Sequence, residues 1–212
     1  MNLEQFVAVL LLPVMAYLMG SIPFGLLIVH GVGRGDIRDS GSGNIGATNV
    51  RRTVGTLPAV ATLAGDIAKG FLPVWWAGMW VCQEESPWAQ GYVALVGLCA
   101  FAGHLYPVFL KFRTGGKGVA TAAGGLLAIA PGALGISGLV FIMTICGLHR
   151  VSAASLAATG MMPLAVWYAT GSCPFTFWAG VTAIWIWIRH RANIQRLLAG
   201  TEPRLWKSDS DG

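Results

Sequence analysis

Three polar stretches carry most of the residues in this chain that could bind or transform a phosphate-bearing compound. They are GSGNIGATNVRR (Gly41 to Arg52), GHLYPVFLKFRTGGKGVAT (Gly103 to Thr121) and RHRANIQRLLAGTEP (Arg189 to Pro203). Glycine lets backbone N–H groups approach an anion closely, and Arg and Lys neutralise its charge. Three such patches in one chain point to an anionic substrate that carries phosphate.

In the first patch, Ser40-Gly41-Ser42-Gly43-Asn44 cannot sustain a helix interior and favours turns with exposed N–H groups. Thr48 or Asn49 is expected to cap the next helix, which would put Arg51 and Arg52 on its first turns. There the positive dipole end and the two guanidinium groups would act together on an anion. The same residues also fit a flexible loop with ordinary cytoplasmic arginines.

The second patch holds Gly115-Gly116-Lys117-Gly118 directly before a helix start at Val119. It resembles a phosphate-cradling turn but not a nucleotide-hydrolysing P-loop. Gly118 stands where Ser or Thr would meet magnesium, and Lys111 takes the place of the first glycine. His104 lies about two helical turns before Lys111, with Pro107 between them to bend the helix end. A lone His at a span end also fits a structural role. In the third patch, His190 and Asn193 are three apart and share a helical face. A basic helix drawn to lipid headgroups accounts for Arg189 and Arg196, but not for His-x-x-Asn or for Gly-Thr-Glu-Pro at 200–203. Asp66 and Lys69, three apart inside an apolar run, form a further pair; ionisable residues at such depth face the bundle interior.

Several chemistries are absent. Cys82, Cys99, Cys146 and Cys173 are scattered without paired spacing, so neither a thiolate metal site nor a disulfide framework is expected. No Asp cluster suits a two-metal phosphotransferase. No Gly-x-Ser-x-Gly elbow appears. No His is followed five residues later by Asp, so the His-x4-Asp pair of common thioester-using acyltransferases is missing. Neither a metal nor a cofactor is expected, and nothing points to nucleic acid.

The elements that must position these residues lie in a membrane. Hydrophobic residues make up 55% of the chain and charged ones only 11%, against about 25% in a soluble domain. The apolar runs Phe6–Val29, Leu57–Val81, Trp88–Leu110, Ala153–Tyr168 and Phe175–Ile188 approach or exceed the roughly 20 residues a span needs. The first has Glu4 as its only early charge and no basic segment before it, so it reads as an anchor rather than a cleavable signal. Trp and Tyr near the run ends fit an interfacial belt. Arg34, Arg38, Arg51, Arg52, Lys111, Arg113, Lys117, Arg150 and the Arg-rich tail are assigned to the cytoplasm, leaving Glu84 and Glu85 outside. Parity then requires the stretch 119–148, broken at Pro131-Gly132, to be a hairpin of two short arms of about 14 residues. The expectation is an all-α integral membrane protein with seven transmembrane helices, N-terminus outside and C-terminus cytoplasmic. Residues 1–200 form one polytopic domain and 201–212 a polar cytoplasmic tail.

Taken together, the patches resemble the three ordered motifs of the bacterial acyl-phosphate:glycerol-3-phosphate acyltransferases, the PlsY family. The resemblance covers nearly the whole chain and includes Asp66-x-x-Lys69-Gly70, GH-x-x-P with GGKGVAT, and HR-x-NI-x-R with GTEP. Arg113-Thr114 makes the connection to the GGKG turn one residue longer than is usual in the family.

The resemblance implies transfer of a fatty acyl group from acyl phosphate to the 1-hydroxyl of glycerol 3-phosphate, giving lysophosphatidic acid and phosphate. It implies Ser42, Arg52, His190 and Asn193 as catalytic residues. Substrate contacts are expected at Gly43, Asn44, Asn49, Arg51, Lys69, His104, Gly115, Gly116, Lys117 and Gly118, with Asp66 and Glu202 structural. The hydroxyl proton is taken by His190 or by a substrate phosphate. The bacterial inner membrane, an active site on its cytoplasmic face and transient contact with the soluble enzyme that makes acyl phosphate are further implications. Two other classes share some of these features: a transporter of phosphorylated metabolites, and a non-catalytic scaffold binding anionic lipid. Short, nearly uncharged outer loops argue against the first, and Ser-Gly-Asn with His-x-x-Asn against the second.

Overall fold

The structure, a computed structural model, describes residues 3–81, 86–113 and 115–205. Among these the regular structure is helical throughout. Glu84, Glu85, Cys82 and the last seven residues of the expected tail lie outside the described residues.

The first apolar run is two helices, α1 (Leu3–Gly20) and α2 (Phe24–Gly31), meeting at a bend of 44°. Pro23 explains the break: it donates no N–H and disfavours helical geometry at Ile22. A short helix α3 (Ala47–Thr53) precedes α4 (Thr56–Val81) and α5 (Pro87–Leu105). Ser86 caps α5, its Oγ accepting the Ala89 N–H at 3.2 Å. As expected, Pro107 follows the end of α5, and a 3-10 turn continues over Val108–Leu110. α6 (Val119–Ile129) and α7 (Pro131–Leu148) meet the break at Pro131, but their lengths are 11 and 18 residues rather than two equal arms. Pro131 occupies the first turn of α7, where a missing N–H costs nothing, so the helix starts there. α8 (Val151–Thr170), α9 (Cys173–Arg189) and α10 (Arg191–Leu198) complete the order.

By length and composition four helical stretches can cross a membrane alone: Thr56–Trp80, Pro87–Leu110, Pro131–Leu148 and Val151–Thr170. Counted as one span, the bent pair α1–α2 brings the number to five. α6 reaches only about 17 Å at 1.5 Å per residue.

The chain forms two compact units, Met1–Ile129 and Ala130–Gly212. In the first, helices approach through glycine. A Cβ at Gly20 would lie 2.0 Å from the Ala100 oxygen, one at Gly70 2.0 Å from the Thr121 oxygen, and one at Gly124 2.1 Å from the Ile67 oxygen. Small residues let α1 pack on α5 and α4 on α6 at backbone distance. A small core of Val29, Ile37, Ile45, Val50 and Ala59 holds the loop before α3 under α2. In the second unit α8 packs against α7 and α9, and α10 lies against α8 and α9.

Candidate active site

The loop from Asp36 to Gly46 is a built structure. The Asp36 carboxylate accepts the backbone N–H and Nε of Arg38, each at 2.9 Å. Those bonds hold its carboxyl down at about 2. Gly41 and Gly43 take φ of +60° and +68°, which L side chains rarely adopt. Asn49 organises the turn from inside. Its Oδ1 accepts the Ser42 N–H at 2.9 Å, and its Nδ2 donates to the carbonyls of Ser40 at 3.0 Å and Asn44 at 2.9 Å. Asn44 Oδ1 accepts the Gly46 N–H at 2.9 Å, an Asx turn that starts α3 at Ala47.

Here the expected helix start is corrected. The cap is Gly46, not Thr48 or Asn49, and Arg51 and Arg52 stand in the last turn of α3 rather than its first. The Asx turn at Asn44 starts the helix two residues earlier and frees Asn49 for the interior. Both arginines and Ser42 are exposed; Asn49 is buried.

A second cluster lies within the helices. Lys69 Nζ meets Asp66 Oδ1 at 2.9 Å, and both side chains are almost wholly buried. The same ammonium donates to the Ile22 carbonyl at 2.8 Å and lies 5.9 Å from the Phe24 ring centre. Lys69 thus braces the α1–α2 break at the residue before Pro23. His104 Nδ1 sits 3.6 Å from Asp66 Oδ1, an ion-pair distance too long for a hydrogen bond. Behind it, Gly116 N–H donates to the His104 carbonyl at 3.2 Å. A Cβ at Gly116 would fall 2.0 Å from His104 Nε2. Gly118, at φ +88°, lies against the Phe101 ring immediately before α6.

The third patch closes on itself in the second unit. His190 joins α9 to α10 and is buried; its Nδ1 lies 2.8 Å from the Ile186 carbonyl. A carbonyl can only accept, so Nδ1 carries the hydrogen and the lone pair of the neutral ring is on Nε2. Asn193 Nδ2 donates to Glu202 Oε1 at 2.6 Å, and Arg196 Nε to Oε2 at 2.7 Å. Burial pushes the Glu202 carboxyl up, but Asn193, the nearby Ser152 hydroxyl and Arg196 outweigh it and hold the carboxyl below its ordinary value. Ser152 acts by proximity, outside hydrogen-bond geometry.

The sequence model of the family described as glycerol-3-phosphate acyltransferase matches residues 10–200. The chain belongs to the glycerol-3-phosphate acyltransferase family. A family member of that name from Desulfotalea psychrophila is 45% identical over 195 residues, covering 92% of this chain and 96% of the relative. Another, from Sinorhizobium fredii, is 44% identical, covering 93% of each. The fold agrees with a crystal structure of PlsY (YgiH), an integral membrane glycerol 3-phosphate acyltransferase, in its glycerol 3-phosphate form. The TM-score is 0.85 at 39% identity, with 93% of this chain and 95% of that one covered. The lysophosphatidic acid form of PlsY gives 0.82 at 38%. The family resemblance drawn from the motifs is therefore correct, and the protein is a multi-pass helical membrane protein.

Within this glycerol-3-phosphate acyltransferase, the geometry adds contacts that motif spacing did not give. Arg196 shares the Glu202 carboxylate with Asn193. Arg150 donates from Nη2 to the Gly200 carbonyl at 3.2 Å, and the Leu205 N–H donates to the His149 carbonyl at 2.7 Å. These two bonds bracket the Gly-Thr-Glu-Pro segment. The i, i+6 spacing of Arg196 and Glu202 was visible in sequence; the contacts of residues 149 and 150 with the tail were not.

Proposed function

We propose that the protein transfers a fatty acyl group from acyl phosphate to the 1-hydroxyl of glycerol 3-phosphate. The observation that carries this reading is the match to PlsY, over 93% of the chain, in forms named for glycerol 3-phosphate and lysophosphatidic acid. The hydroxyl oxygen forms a bond to the acyl carbonyl carbon, the bond from that carbon to the phosphate oxygen breaks, and inorganic phosphate leaves. Acyl phosphate is already activated, so the protein chiefly aligns the reactants and stabilises charge.

In this reading Ser42 and its neighbours Gly43 and Asn44 position the acyl phosphate, the Gly43 N–H itself being held by the Ser40 carbonyl at 3.1 Å. Arg51 and Arg52 hold a substrate phosphate, and Gly115, Gly116, Lys117 and Gly118 bind phosphate before α6. The hydroxyl proton goes to His190, whose Nδ1 hydrogen faces the Ile186 carbonyl, or to a substrate phosphate. Asn193 orients substrate while Glu202 holds it. Asn49, Lys69 and His104 act as positioning residues: Asn49 through Ser42, Lys69 and His104 through Asp66. We further propose seven spans in one polytopic domain of the bacterial inner membrane, with the N-terminus outside and the site and tail cytoplasmic. A soluble enzyme that makes acyl phosphate supplies the donor there.

The test is turnover of the detergent-purified chain with palmitoyl phosphate and glycerol 3-phosphate, with chelator present and acyl-CoA as a parallel donor. Lysophosphatidic acid and phosphate formed from acyl phosphate alone support the reading. Turnover with acyl-CoA alone overturns the donor, and no turnover in folded protein favours transport of a phosphorylated metabolite.

A further inference from the structure

Residues 107–113 form a strained turn that neither helix packing nor the proposed reaction explains. Lys111 N–H donates to the Val108 carbonyl, Phe112 N–H to that of Pro107, and Arg113 N–H to that of Leu110, each at 3.0 Å. The first two bonds make the paired closure that normally places glycine at its left-handed position. Here that position is Lys111, at φ 52° and ψ 42°, and Phe112 follows at φ 60°. Among the described residues only Lys111, Phe112 and His149 combine a side chain with positive φ, and two of the three are adjacent in this turn.

Internal contacts hold Val108, whose N–H donates to Ser21 Oγ at 3.4 Å, and Leu110, but not the two left-handed residues. Leu110 turns inward against the core around Val29, Ile37 and Val50. Phe109 and Phe112 are 59% and 61% exposed, and Lys111 and Arg113 are exposed beside them. Strain held at an exposed site is retained for what the side chains meet outside the fold. The turn directly follows a stretch, Pro87–Leu110, apolar enough to cross the membrane. Two phenylalanines at a span end suit shallow burial at the boundary between acyl chains and headgroups, and two cations beside them suit phosphate.

We infer that Phe109, Lys111, Phe112 and Arg113 form a finger that seats in the membrane surface and binds acidic phospholipid headgroups. Ordinary lipid-facing side chains would account for the exposed phenylalanines, but not for a lysine in a glycine position between them. The core that anchors Leu110 also contains Val50 of α3, so headgroup contact would steady the element bearing Arg51 and Arg52. The inference rests on the chain crossing a membrane, not on the acyl donor.

The test is thermal unfolding of the full chain in nanodiscs of phosphatidylcholine and of an equal mixture with phosphatidylglycerol. The wild type is expected to melt higher in the acidic discs, by about 2–4 °C per cation engaged, with the gain shrinking in high salt. Lys111→Gln with Arg113→Gln should cut the gain by the share of two cations while leaving the melting point in phosphatidylcholine unchanged. Phe112→Asn should raise the melting point in detergent, because asparagine tolerates positive φ, and reduce it in acidic discs. Equal wild-type melting in both lipids would overturn the inference. A double variant that keeps the gain undiminished would also overturn it, turning the cations toward an acidic soluble partner. So would a Phe112→Asn gain of the same size in detergent and in acidic discs.

Discussion

Asn49 Oδ1 accepts the backbone N–H of Ser42 at 2.9 Å across seven residues of chain. The serine proposed to meet the acyl phosphate is thus placed by a buried amide that also gathers the carbonyls of Ser40 and Asn44. Asn49→Asp keeps the acceptor but can donate to neither carbonyl, and Asn49→Ala loses both functions. Each buried group left unpaired costs about 1–3 kcal/mol, and a reacting group misplaced by about 1 Å can cost on the order of 100-fold in rate. Both variants should lower kcat far more than they raise KM for glycerol 3-phosphate. Steady-state kinetics beside melting curves would separate this from simple unfolding, and wild-type kcat in Asn49→Ala would remove the positioning role.

The buried pair Asp66–Lys69 gives a prediction of opposite form. Removing Asp66 strands the Lys69 ammonium, and removing Lys69 leaves Asp66 with His104 alone at 3.6 Å, each at up to about 3–5 kcal/mol, while replacing both with apolar residues is milder. Lys69→Met should fail to accumulate in membranes, and Asp66→Leu with Lys69→Met should largely restore folded protein. Lys69 also binds the Ile22 carbonyl, so recovery in the double variant should be incomplete. A single variant as abundant and stable as wild type would show that the pair does not hold the helices.

What the sequence disclosed about the site follows from how local each cause is. Glycines at 41 and 43 in left-handed turns, the pairing of Asp66 with Lys69 and the end of α5 near Pro107 depend on neighbours a few residues away, and each was legible. The break at Ile22-Pro23 was equally local but was hidden inside a long apolar run. Arg51 and Arg52 were misplaced along α3 because Thr48 and Asn49 read as caps in sequence, whereas the Asx turn of Asn44 starts the helix after Gly46, and only tertiary structure shows Asn49 spent on the loop interior. The hold of His149 and Arg150 on the tail spans some fifty residues, and no periodicity encodes it.

Glycine substitutions separate close approach from mere flexibility. A Cβ at Gly116 would meet His104 Nε2 at 2.0 Å, while one at Gly132, near the start of α7, would meet nothing within 4 Å. The His104 ring is buried against Asp66 and cannot swing away cheaply. Gly116→Ala should therefore destabilise by about 1–3 kcal/mol, as overpacked cores do, and depress activity. Gly132→Ala should leave activity unchanged and raise stability by up to about 1 kcal/mol through helix propensity. Melting temperature and turnover measured side by side decide it; equal effects at the two positions would refute the packing argument.

The Glu202 contacts carry a pH dependence whose sign follows from the bonds. Burial alone would raise the carboxyl, but Asn193, Ser152 and Arg196 hold it below the ordinary value of 4.5. A depressed acid contributes stability that is fully present above its unfolded value and is lost as pH falls through the folded one. The tail should stay seated on α10 from neutral pH down to about the unfolded carboxyl value, and detach only below it. Glu202→Gln cannot hold Arg196 by charge and should melt lower than wild type by a constant margin across neutral and mildly acidic pH. That margin should narrow below pH 4.5 as the wild-type carboxyl takes up its proton. In the variant one amide oxygen must serve both Asn193 and Arg196, so Asn193 is held less firmly and kcat should fall with little change in KM for either substrate. A margin that instead closed between pH 7 and 6 would mean a carboxyl raised in the fold, and would place Glu202 in an apolar contact rather than a charged one.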